Sequence, residues 1–235
     1  MSFIDLWHGI VSLSDMSSEK RSYELKARAD AQRETRRRIV EATVALHEEV
    51  GPARTTVAEI ARRAGVNRLT VYNHFPEEGE LFAACQGRFL ADHPPPDLAP
   101  ALALSDPGER VRAALRALYA SYRARERMTG KVLRDRGALP ALDALMERTF
   151  DAQQRRLADG LAAAFGLKGA RARRHRAVVA LALDFWTWQR LVREGLDEDE
   201  AAGVMAGLVT AAATGPGDPP GGSRGDRGSR RPAPS

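Results

Sequence analysis

The sequence predicts an all-α protein: a three-helix head of helix-turn-helix type followed by a larger helical body. Three observations predict it. Apolar residues recur at spacings of three and four through successive segments of the 235-residue chain. Capping signatures stand at the expected starts of those segments, at Thr56-x-x-Glu59, Asp106-Pro107-Gly108-Glu109 and Asp197-x-x-Glu200. Between Thr55 and Phe75 two short periodic stretches meet at a single glycine, Gly65, and the second carries hydrogen-bonding side chains in place of a full apolar stripe.

In chain order, residues 1–30 are predicted to be a flexible basic arm. From Lys20 to Arg38 eight basic residues stand against three acidic ones. That excess suits a segment following DNA backbone or minor groove, and equally a solvated leader. Arginine outnumbers lysine 32 to 4, which weakens any argument from arginine enrichment alone. The opening MSFIDLWHGIVSL has no basic leader and contains Asp5, against a secretory signal. It reads either as an amphipathic segment with Phe3, Trp7 and Ile10 on one side or as an extension upstream of a start at Met16, the second slightly preferred.

Residues 31–93 form the predicted head. Its first helix is expected from about Ala31 to Val50, with Ile39, Ala42, Thr43, Leu46, His47 and Val50 inward, and His47 read as a satisfied core histidine. After the Gly51-Pro52 turn, Thr56 caps a helix starting at about Val57, whose Val57, Ile60, Ala61 and Ala64 share one face. Gly65 closes it, Val66 plugs the corner, and Asn67 caps a second helix running to about His74. There Val71 and Phe75 are the buried anchors. Arg68, Leu69, Thr70, Tyr72, Asn73 and His74 are left for a partner. Arginine suits guanine edges, leucine a thymine methyl, and the polar residues phosphate oxygens, so the arrangement fits a DNA major groove. Taken on spacing alone, an ordinary solvated helical hairpin explains it equally well. Pro76 is expected to start a fourth helix through Leu81, Phe82, Cys85 and Phe89, ended by His93-Pro94-Pro95-Pro96, with a loop to Ser105.

The run TTVAEIARRAGVNRLTVYNHF resembles the DNA-binding motif of tetracycline-repressor (TetR) type regulators through Thr55, Thr56, Ile60, Ala61, Ala64, Gly65, Val66, Thr70, Tyr72, His74 and Phe75. The resemblance covers roughly residues 33 to 93. It implies base reading by Arg68 and Leu69, and phosphate contacts from Thr56, Thr70, Tyr72, Asn73 and His74, with Asn67 completing the DNA-facing set. At one position the chain departs: where members of the family often carry a phosphate-contacting lysine, it has Glu78 beside Glu77.

Residues 94–213 are read as the body. Val111, Leu115, Leu118, Tyr119 and Tyr122 form one stripe, a basic piece spans Lys131 to Arg136, and Pro140 comes next. Leu142, Leu145, Met146, Thr149, Phe150, Gln153, Leu157 and Leu161 predict one long helix stopping near Gly166. Another is expected from about Ala170 to Glu194, apolar nearly all round between Val178 and Val192. A helix without a wet face must be covered on more than one side. The last helix, capped by Asp197 and Glu200, offers Val204, Met205, Leu208 and Val209, with Gly203 and Gly207 admitting a neighbour. A TetR-like body implies effector binding and dimerisation, with these last two helices forming an intersubunit four-helix bundle. Tyr119, Tyr122, Phe150, Trp186 and Trp188 are the candidate effector-binding residues, each reading first as core. Residues 214–235, rich in glycine, proline and arginine, are expected to be disordered.

Nothing nominates catalysis. There is no H-E-x-x-H or G-x-S-x-G motif, and the stretch from Gly160 to Lys168 has the wrong spacing for a phosphate loop. The histidines are scattered, so no metal and no cofactor are expected. Cys85, the only cysteine, points to a reducing cytoplasm and reads as a small apolar residue. No apolar run reaches the ~20 residues of a membrane span. The expected protein is a homodimeric regulator of a palindromic double-stranded DNA operator, released as a repressor by a small-molecule effector of unknown identity. An effector-independent DNA-binding protein or activator, and an enzyme on a helical scaffold, are the alternatives.

Overall fold

The computed structural model describes the backbone from residue 3 to residue 215 and side chains from residue 23 onward; the expected tail and the Phe3, Trp7 and Ile10 face lie outside the described residues. All regular structure among them is helical: α1 (Phe3–Glu49), α2 (Val57–Ala64), α3 (Arg68–His74), α4 (Glu78–Asp92), α5 (Ala99–Leu102), α6 (Pro107–Asp135), α7 (Pro140–Met146), α8 (Ala152–Ala163), α9 (Gly169–Leu183), α10 (Phe185–Arg193) and α11 (Glu198–Thr214). The chain divides into two compact units. One comprises residues 1–95 and 124–150, the other residues 96–123 and 151–235.

The first unit therefore takes residues 124–150 from the stretch the sequence assigns wholly to the body. Its core joins Ile39, Ala42 and Leu46 of α1 to Ile60, Ala61 and Ala64 of α2, Val71 of α3, Phe75 and Leu81. A second cluster sets Phe82 of α4 against Leu142, Leu145 and Met146 of α7. The first helix begins at Phe3, where the sequence predicts a separate arm over residues 1–30. No glycine or proline interrupts the chain between Gly9 and Gly51, and Arg33–Asp30, Arg37–Glu34 and Arg37–Glu41 pairs at helical spacing support the exposed stretch. Val50, expected inward, is exposed because α1 ends at Glu49.

The basic piece from Lys131 to Arg136 belongs mostly to the end of α6, and it closes the end of α1. Lys131 Nζ donates to the carbonyls of Glu48 and Glu49, groups with no partner inside α1 itself. Asp135, 7% exposed, accepts from the Ala53 N–H at 3.1 Å and pairs with Arg134 at 2.6 Å. Burial opposes ionisation of Asp135, but Arg134 and the Ala53 N–H together hold its carboxyl below the usual range.

In the second unit Val111, Leu115, Tyr119 and Tyr122 of α6 are buried as the stripe predicts. The long helix expected through Leu161 is divided. A π turn over Glu147–Asp151 separates α7 from α8. One extra residue in that turn rotates α8 about its axis, so Ala158 is buried where Leu157 was expected, and Gln154 makes the polar contacts expected of neither neighbour, while Gln153 is exposed. The helix expected from Ala170 to Glu194 is also two, broken at Asp184. Asp184 turns into extended backbone and its carboxylate accepts from the Thr187 N–H at 2.9 Å, capping α10. The α11 capping box is present in full. On α11 the predicted apolar face splits: Met205 and Val209 are buried, whereas Val204 and Leu208 are 46% and 54% exposed. Among the described residues no helix is long and apolar enough to cross a membrane.

Candidate nucleic-acid interface

The corner between α2 and α3 is built by three local devices. Thr56 Oγ1 accepts from the Glu59 N–H at 3.2 Å, which starts α2. Only half of the expected capping box forms, because the Glu59 carboxylate turns to Arg62 at 2.9 Å. Gly65 ends α2 at φ 66°, a left-handed conformation in which a Cβ is disfavoured, and the Val66 N–H returns to the Ala61 carbonyl at 3.0 Å. Asn67 Oδ1 then accepts from the Thr70 N–H at 2.7 Å and from the Thr70 hydroxyl at 2.9 Å.

With the corner fixed, one face of α3 is committed inward. Val71 and Phe75 are 2% and 3% exposed. The opposite face presents Arg68 and Tyr72, four residues apart and so stacked along the helix, beside Leu69 and Asn73 with the same spacing. Leu69 is 66% exposed and Tyr72 53% exposed. Thr70 and His74 are half-buried at the edges, Thr56 is exposed at the start of α2, and the Asn67 carbonyl oxygen is occupied by the cap, leaving its amide nitrogen as the donor. Of the predicted set, Arg68, Leu69, Tyr72 and Asn73 are exposed on α3, while Thr70 and Asn67 are partly spent on holding the corner together. Glu77 and Glu78 are exposed at the start of α4, where they suit the helix dipole and offer nothing to a phosphate.

Two arginines that count only as charge in the sequence hold the corner from behind. Arg36 donates to the His74 carbonyl at 2.8 Å, and Arg38 to the Ala64 carbonyl at 3.0 Å. Both acceptors belong to helix ends that lack intrahelical donors. Nothing in the local pattern of α1 signals contacts spanning 38 and 26 residues of sequence.

Behind the same unit, His47 and Cys85 are buried together, with Nδ1 and Sγ 3.4 Å apart. Burial depresses the histidine to about 4 and pushes the thiol up to about 12, so both are neutral at physiological pH. The pair packs as neutral core.

The candidate effector residues fall in different places. Tyr119, Tyr122 and Trp188 are buried in the second unit, where Tyr122, Phe185 and Trp188 have ring centroids 5.3–5.7 Å apart. Tyr119 donates to the Ala182 carbonyl at 2.6 Å and Tyr122 to the Leu183 carbonyl at 2.8 Å, satisfying the end of α9 at its break. Gln154 Nε2, which the sequence pattern does not single out, donates to the Leu183 carbonyl at 3.0 Å. Trp188 Nε1 is buried without a hydrogen-bond partner among the described residues. Trp186 is 43% exposed, and Phe150 packs in the first unit against the Phe82 cluster.

Residues 39–85 match the family described as bacterial regulatory proteins, tetR family. Two uncharacterized HTH-type transcriptional regulators of Mycobacterium tuberculosis, from different strains, are each 42% identical over 55 residues. That stretch is 23% of this chain and 29% of theirs, so the chain spans under a third of the length of the curated relatives it matches. A TetR-like transcriptional regulator from Rhodococcus sp. RHA1 shares the fold at TM-score 0.56 and 20% identity, covering 77% of this chain and 97% of that one. AibR, solved in complex with isovaleryl coenzyme A and operator DNA, shares it at TM-score 0.53 and 19% identity, covering 74% and 97%.

Proposed function

The head of this chain, residues 39–85, is that of the tetR family of bacterial regulatory proteins, and from that premise we propose a sequence-specific transcriptional regulator of double-stranded DNA, most simply a ligand-released repressor in the cytoplasm. The observation that carries the reading is the divided α3: Val71 and Phe75 fix it to the core, and Arg68, Leu69, Tyr72 and Asn73 stand outward as a set able to meet base edges and phosphates. Thr56, Asn67, Thr70 and His74 supply the remaining DNA contacts from the margins of the corner.

Dimerisation rests on the second unit. Leu181 of α9, Trp186 of α10, and Val204 and Leu208 of α11 are all large, apolar and open. A second copy covering them would place two heads on a palindromic operator, with half-sites about one helical turn apart or a little more. A small-molecule effector fits the neighbourhood of Tyr119, Tyr122 and Trp188, where the Trp188 indole N–H awaits an acceptor. Trp186 reaches the edge of this cluster through Phe185, with ring centroids 5.1 Å apart, while Phe150 packs within the first unit. Coupling of ~1–3 kcal/mol between effector and operator gives about 5- to 150-fold release.

Genomic fragments selected with the purified full chain, then footprinted, test the reading. A protected palindrome is expected, and Arg68→Ala should relax preference at one operator position at a cost of ~1–3 kcal/mol. Fragments bound without preference, or an equal loss on every sequence, would overturn base reading.

A further inference from the structure

The basic run on α1 has four arginines between residues 33 and 38, and each faces a partner within the chain. Arg33 is paired with Asp30, and Arg37 with Glu34 at 2.6 Å and Glu41 at 2.7 Å. Arg38 meets the Ala64 carbonyl at the end of α2. Arg36 meets the His74 carbonyl at the end of α3, and its guanidinium carbon lies 3.9 Å from the centroid of the Phe75 ring. Phe75 is one of the two side chains that seat α3 in the core.

Resting on the DNA-reading assignment above, we propose that Arg36 is a positioning residue for the reading helix rather than a phosphate contact. The reasoning is geometric. A seven-residue helix has too few internal hydrogen bonds to hold its own axis, so its direction is set by what grips its ends and its inner face. Asn67 grips the start of α3 and Val71 the middle. Arg36 grips the finish twice, through the terminal carbonyl and through the face of the next residue, Phe75. A cation at a helix C-terminus also meets the negative end of the peptide dipoles, and over an aromatic face it meets the ring's negative surface. All of these interactions point the guanidinium at α3. The consequence is that Arg36 governs how accurately Arg68 and Leu69 address bases, while contributing little to the charge that attracts the backbone.

Salt dependence separates the two roles. Each phosphate contact adds about 0.9 to the slope of log affinity against log salt, whereas a residue that only orients α3 leaves the slope alone. The full chain, Arg36→Met and Arg36→Lys are titrated with the operator recovered by the wild-type protein and with a scrambled duplex, across a range of potassium chloride, alongside thermal midpoints. For Arg36→Met the expected result is a roughly tenfold fall in the operator-to-scrambled ratio with unchanged slope and unchanged binding to the scrambled duplex. Arg36→Lys keeps a cation and a donor but loses the flat guanidinium, so it should recover part of that ratio. A slope lowered by about 0.9 per half-site with equal loss on both duplexes would assign Arg36 to a phosphate and overturn the proposal. So would wild-type discrimination in Arg36→Met. Should Arg36→Met not fold, Arg36→Lys decides alone, since a phosphate contact predicts no change in its ratio. A wild-type protein without preference for any duplex would instead overturn the DNA-reading assignment, and with it this proposal.

Discussion

Replacing Gly51 by alanine should destabilise the first unit by several kilocalories per mole, although it adds a single methyl group. Gly51 precedes the 3₁₀ turn over Pro52–Arg54 at φ 94° and ψ 159°, a region open to glycine and closed in practice to residues with a Cβ. Forcing alanine there costs about 1–3 kcal/mol in backbone strain. The new methyl would also lie 2.6 Å from Arg134 Nη2 and nearer still to Asp135 Oδ2. The arginine tip can swing away. The Asp135 carboxylate cannot move without releasing the Ala53 N–H, a charged hydrogen bond whose loss costs about 1.5–3 kcal/mol. The sum is about 2.5–6 kcal/mol, which for a chain of this size lowers the midpoint of thermal unfolding by roughly 5–24 °C. Gly87→Ala is the control. It lies inside α4, and a Cβ there meets nothing within 4 Å, so the same chemical change should raise stability by up to about 1 kcal/mol through helix propensity. Circular dichroism melts of the two variants decide the matter. Equal shifts, or a Gly51→Ala midpoint within a degree of wild type, would refute the claim that the α1–α2 turn is held by Asp135.

Three further outcomes are expected. Tyr119→Phe strips the Ala182 carbonyl of its 2.6 Å donor and should cost about 1–3 kcal/mol in urea unfolding; Tyr122→Phe should cost less, because Gln154 still serves the Leu183 carbonyl, and the reverse order would contradict the capping argument. Stability should be level between about pH 7 and 8 and decline as pH falls from about 6.5 towards 4, with His47 contributing up to ~1.4 kcal/mol per unit, since the unfolded chain protonates His47 near 6.5 and the folded chain refuses until about 4. Unfolding of His47→Gln across the same pH range should show a shallower decline, the remainder coming from His175, which burial also holds below its usual range; an identical profile would place the pH sensitivity elsewhere. Leu208→Glu should yield monomers in sedimentation velocity and lose cooperative operator binding while the isolated fold survives, because that side chain is 54% exposed; dimers that persist would move the interface off this face.

The corner of the head was legible because its signals are local. Thr56, Gly65 and Asn67 each act on backbone groups within four residues, so the spacing in the chain is already the geometry. The same holds for Asp106 and Asp197 at the starts of α6 and α11. Elsewhere periodicity misleads where one residue decides a register. The π turn at Glu147–Asp151 leaves the apolar pattern intact on either side, yet shifts the buried set from Leu157 to Ala158. Asp184 sits in so apolar a run that its role as a cap, visible in the spacing to Thr187, was outweighed by periodicity. The allotment of residues 124–150 to the first unit, and the packing of Phe150 against the Phe82 cluster, depend on contacts across many tens of residues, for which a single chain carries no local mark.

The breaks that periodicity hides and the role proposed for Arg36 share one physical origin, the ends of helices. Every helix leaves carbonyls at its finish that must find donors. In this chain many donors are long side chains from distant segments: Lys131 serves α1, Arg38 serves α2, Arg36 serves α3, Tyr119 and Tyr122 serve α9, and Arg171 serves α11 through the Ala213 carbonyl at 2.8 Å. A glycine cap fixes only where a helix stops. A donor from another element fixes where the end lies relative to that element, which is the quantity a reading helix must control. Arginines that carry little weight in a composition argument therefore locate the ends of α2 and α3. If so, removing either of them should be felt in the sequence preference of the head before it is felt in the affinity for nucleic acid as such.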